Sequence, residues 1–457
     1  MTVVNRYLEG QMAPVADEVT AFDLPVSGAI PTELEGRWLR NGPNPIAVAD
    51  PSRHHWFGGD GMVHAVRLRG GRAEWYRNRY VRADKVATML GETPPAGPAF
   101  GGRTETGPNT NVGGFAGRSW ALVEGGGTPV ELTYELDTIG RNDFDGTLPA
   151  AFSAHPKLDP ETGELHAMTY SWPDLVDRLQ YVVVDRDGRV TKVVDIPVSD
   201  MPMVHDISIT PNHAVIYDLS VTVRFDLLEQ GFQLPVGWNP DHPSRIGLLP
   251  RSGSADDIVW CEVEQCFLFH PLNAYERDDG HVVIDVCRYE NLFVDDVLGP
   301  FSVDSPPTLD RWTIDPVSRK VHEERIDDRA HEFPRHDPRV GLREHRFGYT
   351  ATVGYEGPSL HGSIYKTDYR TGALTEHDFG AGRGGAEPVF VPRDGSTGED
   401  DGWVMVLVHD AATDGAELHI IDAIDFASPA VAVIDLPQRV PIGFHGNWVG
   451  DDSVPPA

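Results

Sequence analysis

Short runs of β-branched and aromatic residues recur along the chain, and they are broken by turns that carry Asp and Gly. "LDPETGELHAMTY" sets Asp159 to Gly163 between two such runs, and "YVVVDRDGRVTKVVDI" does the same around Asp185 to Gly188. "TIDPVSRKVHEERI" repeats the pattern at Asp315 to Ser318, "IYKTDYRTGALTEHDF" at Asp368 to Gly372, and "RLRGGRAEWY" is a shorter variant. Asp hydrogen-bonds its own backbone in a turn and Gly supplies positive φ, so each stretch predicts a β-hairpin. Helical periodicity is scarce. Only "PTELEGRWL" from Pro31 and "NAYERDD" from Asn273 are expected to make a helical turn or so.

Many hairpins, little helix and no break in composition predict one all-β domain over residues 1–457. A sandwich usually stops short of this length, whereas a propeller grows by adding blades. No Trp-Asp repeat marks the blades, so that expectation rests on architecture alone. Residues 221–251, with "LPVGW", "NPDHPS" and "GLLPR", lack the hairpin rhythm and read as a long excursion from the scaffold. "RDGSTGEDDG" from Arg393 reads as a solvated loop.

Charge narrows the partners. The 457 residues include 70 acidic and 38 basic side chains, a formal net charge of −32. Such a surface repels phosphate backbones and argues against nucleic-acid binding. Partners held by charge are then cations or metal ions. No segment approaches the roughly 18 apolar residues of a membrane span. "MTVVNRYLEG" lacks the apolar core of a signal peptide, so the expected location is cytoplasmic. Cys261, Cys266 and Cys287 are too few and odd in number for a disulfide framework, which predicts reduced thiols.

Of the 19 histidines, four stand apart by context. His155 in "FSAHPKL", His205 in "MPMVHDISI", His270 in "CFLFHPLN" and His445 in "PIGFHGNW" each end an apolar run. Their separations of 50, 65 and 175 residues exclude a zinc finger or a helical His pair. They suit ligands delivered by different blades to a common axis, and equally four unrelated buried histidines. Metal-bound imidazoles need their second nitrogen oriented, usually by a carboxylate or a carbonyl. Glu124 in "WALVEGGGTP", Glu332 in "HEFPRHDP" and Glu387 in "GGAEPVFVPR" lie in segments that read as buried strand or tight turn.

About ten ordered motifs from Asn5 to Trp448 carry a wider resemblance. They include "LEGRWLRNGPNP", "HWFGGDGMVHAV", "GPNTNVGGFAGRSWALVEGG", "MVHDISITPNHAVIYDL", "FHPLNAYE", "HEFPRHDPR" and "RVPIGFHGNW". In these the chain resembles the carotenoid cleavage oxygenases. The resemblance implies a seven-bladed β-propeller with a few short helices, and loop excursions forming a cap over one face. It implies one non-haem Fe(II) per chain bound by His155, His205, His270 and His445. Glu124, Glu332 and Glu387 would support His205, His270 and His445, leaving His155 without a carboxylate. Thr110, fourteen residues before Glu124, would face an open position on the iron. One departure is Gly58-Gly59, where the family motif carries an acidic residue before "GDGM".

The implied reaction is dioxygen-dependent cleavage of a conjugated carbon–carbon double bond to two carbonyl products. Stilbene-cleaving members tend to carry Lys before the first supporting Glu, and here that position is Val123. This favours an apolar carotenoid or apocarotenoid over a hydroxystilbene, which is the alternative substrate. A polyene must come out of a bilayer, so peripheral membrane contact is expected. Phe232, Leu234, Trp238, Ile246 and Leu248 of the excursion are the candidates for it. No obligate protein partner is implied. Two rival classes are a metal-free binding propeller and a zinc hydrolase, but hydrolytic zinc usually has three protein ligands and a carboxylate base.

Overall fold

In the computed structural model, residues 5–102, 104, 107–171, 174–294, 296–299, 305–353 and 361–456 are described. Turn chemistry makes the expected hairpins. The strands Gly61–Arg69 and Arg72–Tyr80 meet at Gly70 and Gly71, whose φ of 54° and 73° suit a two-residue turn. Asp185 Oδ1 accepts from the backbone N–H of Asp187 at 3.0 Å and of Arg189 at 2.9 Å, and Gly188 takes φ 80°. Asp159, Asp315 and Asp368 hold their turns the same way, through Glu161, Val317 and Arg370.

The hairpins assemble into seven sheets around an axis, a seven-bladed β-propeller. Each blade has an inner strand at the axis: Asn111–Phe115, Lys157–Leu158, Ser208–Ile209, Phe267–Glu276, Glu332–Arg335, Val389–Pro392 and Gly446–Gly450. The last of these closes the ring, because it pairs antiparallel with Gly36–Pro43 and sets Trp38 opposite Trp448. A second closure lies at the rim, where Val26–Gly28 pairs with Ala432–Asp435. The core is distributed between blades. One apolar cluster joins Trp38, Val66 and Tyr76 to Met405, Leu418 and Ile434 across the closure. Another joins Tyr181, Ile216, Ile284 and Trp312 across three successive blades.

Three expectations are corrected. Neither Pro31 nor Asn273 starts a helix: Gly36–Pro43 and Phe267–Glu276 are strands, almost wholly buried, and tertiary burial outweighs local propensity. The α-helices among the described residues are Asp84–Leu90 and Phe225–Glu229. The excursion ends earlier than 251. Arg245–Pro250 is a full strand between His213–Asp218 and Val259–Glu262, with Ile246 and Leu248 fully buried. These two side chains therefore cannot form a membrane patch. What remains is the small hairpin Val221–Val223 with Val236–Trp238, enclosing the helix Phe225–Glu229. The loop from Arg393 is more than solvated: Glu399 accepts from the backbone N–H groups of Arg346 and Phe347, and Asp400 pairs with Lys366 at 2.7 Å.

Trp38 is 1 % exposed at the ring closure. Trp38→Ala is expected to cost about 3–5 kcal/mol, the usual range for a buried Trp. Urea denaturation checks this; a loss below about 1 kcal/mol would mean that the closure does not carry the fold.

Candidate metal centre

Every candidate residue but one sits at or near the start of an inner strand, at one end of the axis. In chain order the seven strands bring Thr110, His155, His205, His270, Glu332, Glu387 and His445. Glu124 follows the strand Arg118–Leu122, one strand outward. His270 lies within its strand, where the pairing shifts register between Leu268, Pro271 and Asn273. Pro271 has no N–H to give, and an inner strand with a free edge tolerates it; the bulge re-aims the side chain before it.

The four imidazoles converge. Their ligand atoms lie within 4.8 Å of one another and all four residues are buried. Ring centroids are 4.3 Å apart for His155 and His205, 4.6 Å for His155 and His445, and 4.8 Å for His270 and His445. Nδ1 of His205 is 2.6 Å from Glu124 Oε2, that of His270 2.5 Å from Glu332 Oε2, and that of His445 2.9 Å from Glu387 Oε1. His155 has no such partner; the nearest carboxylate, Asp206, is 4.0 Å from its Nδ1 and engaged by Lys157 Nζ at 2.8 Å.

A carboxylate can only accept, so each paired Nδ1 carries the proton and each Nε2 presents a lone pair. Nε2 of His205 and Nε2 of His270 are 3.2 Å apart, and Nε2 of His155 is buried without a hydrogen-bond partner. Two lone pairs at that distance repel unless a cation lies between them. Donors at right angles on a metal–imidazole bond of about 2.1 Å would be about 3 Å apart. The donor set thus fits a divalent ion. Protonation is a poor substitute: burial first, then the neighbouring imidazoles, push His155 well below the ordinary histidine range. Burial pushes His445 down to about 3 against the pull of Glu387. His270 differs, because Glu332 outweighs its burial and raises it.

Each carboxylate is itself held. Tyr170 Oη donates to Glu124, and Tyr289 Oη donates to Glu332 Oε1 at 3.0 Å. Arg335 Nε lies 3.0 Å from Glu387 Oε1, and the Gly446 N–H donates to Oε2 at 2.7 Å. Burial would raise Glu387, but Arg335 and His445 keep it well below the usual carboxylate range. The sequence reading missed Tyr170, Tyr289 and Arg335, which come from other turns of the chain and carry no local signal. Phe333 takes φ 49°, a strained value for an aromatic residue, and its N–H donates to Glu332 Oε2 at 2.7 Å.

Two cavities meet at the histidines. A cavity of about 450 Å³ follows the propeller axis, lined by Asn111, Asp206, Arg335, His336 and Asn447. The other, about 880 Å³, is apolar and runs under the excursion, with Phe57, Val123, Met201, Phe232, Leu234 and Phe444 in its walls. Phe269 stands edge-on to His205 at 4.9 Å and to Phe57 at 5.9 Å, so aromatic walls reach the histidine quartet. Thr110, 6 % exposed, lines this tunnel; its hydroxyl donates to Asn109 Oδ1 at 2.9 Å, and its carbonyl accepts from the His445 N–H at 3.1 Å. Gly58 leaves room for Gln233, whose Oε1 would lie 2.2 Å from a Cβ there. The acidic cluster Asp159, Glu164 and His166 lies elsewhere and is filled by Arg251.

The family described as retinal pigment epithelial membrane protein (RPE65) matches residues 12–450. A Mycobacterium tuberculosis protein named carotenoid cleavage oxygenase is 45 % identical over 97 % of both chains. Among solved structures, a Pseudomonas brassicacearum lignostilbene dioxygenase superposes with TM-score 0.88 at 28 % identity over 98 % of both chains. A Synechocystis apocarotenoid oxygenase variant superposes with TM-score 0.83 at 30 % identity, over 96 % of this chain and 97 % of that one.

Metal-free protein titrated anaerobically with Co(II) is expected to bind one ion per chain. His445→Ala should abolish that uptake. Glu332→Gln should weaken it about 10- to 100-fold, the usual effect of losing an outer partner of a ligating histidine. Equal uptake by wild type and His445→Ala would separate the quartet from metal binding.

Proposed function

The chain belongs to the carotenoid cleavage oxygenase family, and on that premise we propose that it cleaves a conjugated double bond of a carotenoid or apocarotenoid, using Fe(II) held by His155, His205, His270 and His445. It is an oxygen-incorporating oxidoreductase, and the products are two carbonyl compounds. The observation that carries the reading is the buried histidine quartet at the end of an apolar tunnel. His155, His205, His270 and His445 would hold the ferrous ion through their neutral imidazoles, and the ion would supply the means to activate dioxygen.

The chain's own residues do the rest. Glu124, Glu332 and Glu387 fix the tautomers of His205, His270 and His445, and their charge offsets that of a divalent ion. Thr110 narrows the approach on the tunnel side; with its hydroxyl given to Asn109, the methyl is the unengaged half of the side chain. Phe57, Phe269 and Phe444 exclude water and hold a planar polyene by area and ring contact. No side chain has to move a proton to the substrate.

Val123 faces the tunnel and cannot hydrogen-bond a phenol, which favours the polyene. The second reading, a hydroxystilbene, draws on the close superposition with the lignostilbene dioxygenase. We further propose that residues 1–457 act as one domain and that the protein works in the cytoplasm. In this reading it touches a bilayer through the apolar rim of the tunnel, where Phe225 is 62 % exposed and Leu228 53 %. No helix among the described residues is long and apolar enough to cross a membrane.

Oxygen uptake by iron-loaded protein is expected with apocarotenoids, at one dioxygen per double bond cleaved. Hydroxystilbenes should give at least about tenfold lower kcat/KM, the price in affinity of leaving a phenol unpaired in an apolar site. The reverse ranking would keep the iron site and overturn the substrate.

A further inference from the structure

His242, in the "NPDHPS" stretch, lies outside the metal centre. Its side chain is fully buried between two carboxylates. Nδ1 is 2.9 Å from Asp200 Oδ2 and Nε2 is 2.8 Å from Asp218 Oδ1. Both nitrogens must donate, because a carboxylate only accepts; the ring is therefore an imidazolium. The surrounding charges balance it. Asp218 is buried and also takes Arg245 Nε at 2.9 Å, while Asp200 is half exposed. The remaining contacts of this turn are neutral: Gln265 donates to the His242 carbonyl, and the His242 N–H to the Asn239 carbonyl.

Asp200 belongs to the tunnel. Asp200 and Met201 both line it, and both carry positive φ, 61° and 49°. Two successive non-glycine residues in that region are strained and persist only when held from outside. One end of the hold is backbone: Met203 N–H donates to Val221 O and Val223 N–H to Met201 O, joining the turn to the excursion hairpin. The other is the charged contact to His242.

We propose that His242 is a positioning residue for substrate binding: as an imidazolium it clamps the Asp200–Met201 turn and thereby shapes the tunnel wall that receives the polyene. On losing its proton, the ring can keep only one of its two donations. Buried Asp218 has no water to turn to and keeps Nε2–H; half-exposed Asp200 is solvated and lets go. Burial opposes the charge on His242, but the bonds to Asp218 and Asp200 outweigh it and raise the group above the ordinary histidine value. The raised sign means that the clamp is present in acid and neutral solution and is lost as pH rises through the elevated value.

The proposal rests on the polyene reading, and two measurements keep them distinguishable. With an apocarotenal, which has no ionisable group, KM is expected to rise about five- to tenfold between pH 6.5 and 9 at constant iron content, within the range of one lost charge-assisted hydrogen bond. In Asp200→Asn the amide can donate to a neutral ring, so KM, whatever its level at pH 6.5, should no longer depend on pH. Ring-¹⁵N histidine NMR, which needs no substrate, should show an imidazolium at pH 7.5 that becomes a neutral imidazole in Asp200→Asn. A flat wild-type KM, or the same pH profile in Asp200→Asn, would overturn the tunnel role. Absence of the imidazolium would overturn the clamp itself, whatever the substrate proves to be.

Discussion

The pairing of Gly446–Gly450 with Gly36–Pro43 is the constraint on which the rest depends. It closes seven sheets into a ring and thereby fixes where seven inner strands begin. A ring of strands entering the axis at one end gives each blade one chance to present a side chain there. The chain spends these positions on four histidines, two glutamates and a threonine. Closure also acts locally. His445 immediately precedes the closing strand, and its N–H is tied to Thr110 in the neighbouring blade. Asn447, two residues on, donates to Asn111 Oδ1 at 3.0 Å and to Val112 O at 2.8 Å, and accepts from Arg335 at 2.9 Å.

Holding neutral imidazoles at contact distance is electrostatically demanding, and the structure meets the demand in layers. Each ring but one faces a carboxylate, and each carboxylate is gripped by a tyrosine or an arginine from another part of the chain. A rotation of any carboxylate would release a ring, so the hydroxyls of Tyr170 and Tyr289 and the guanidinium of Arg335 transmit the rigidity of the blades to the centre. His155 is the exception. Its unpartnered Nε2 and its 4.0 Å distance from Asp206 leave it oriented by packing and by its place beside the short inner strand Lys157–Leu158.

The hairpins were legible because their turns are written locally: an Asp that accepts from the next backbone N–H groups and a Gly with positive φ need no distant partner. The four histidines were legible because each ends an apolar run. Other features depend on the assembled ring. "RIGLLP" reads as loop because it lacks alternation, yet it is buried on both faces inside a blade, where alternation has no cause. "NAYERDD" reads as helix, but its first four residues end an inner strand and the rest make the hairpin turn, since the axis imposes an inner strand there. Tyr170, Tyr289 and Arg335 are ordinary strand residues until the blades bring them to the glutamates. His242 sat in a stretch recognised as an excursion, and only the fold puts Asp200 and Asp218 on either side of it.

A polar, carboxylate-braced centre and an apolar tunnel meet at the same four rings, and this separation suits one end to a divalent cation with nitrogen donors and the other to a hydrocarbon. The central claim is that the quartet holds iron and that iron is required for turnover. The most direct measurement strips the protein of metal with a chelator and titrates Fe(II) back without oxygen, assaying each point for double-bond cleavage. The account predicts activity rising linearly to a break at about one iron per chain, with Zn(II) occupying the site and restoring none. Full activity in the metal-free protein, or restoration by zinc, would contradict it.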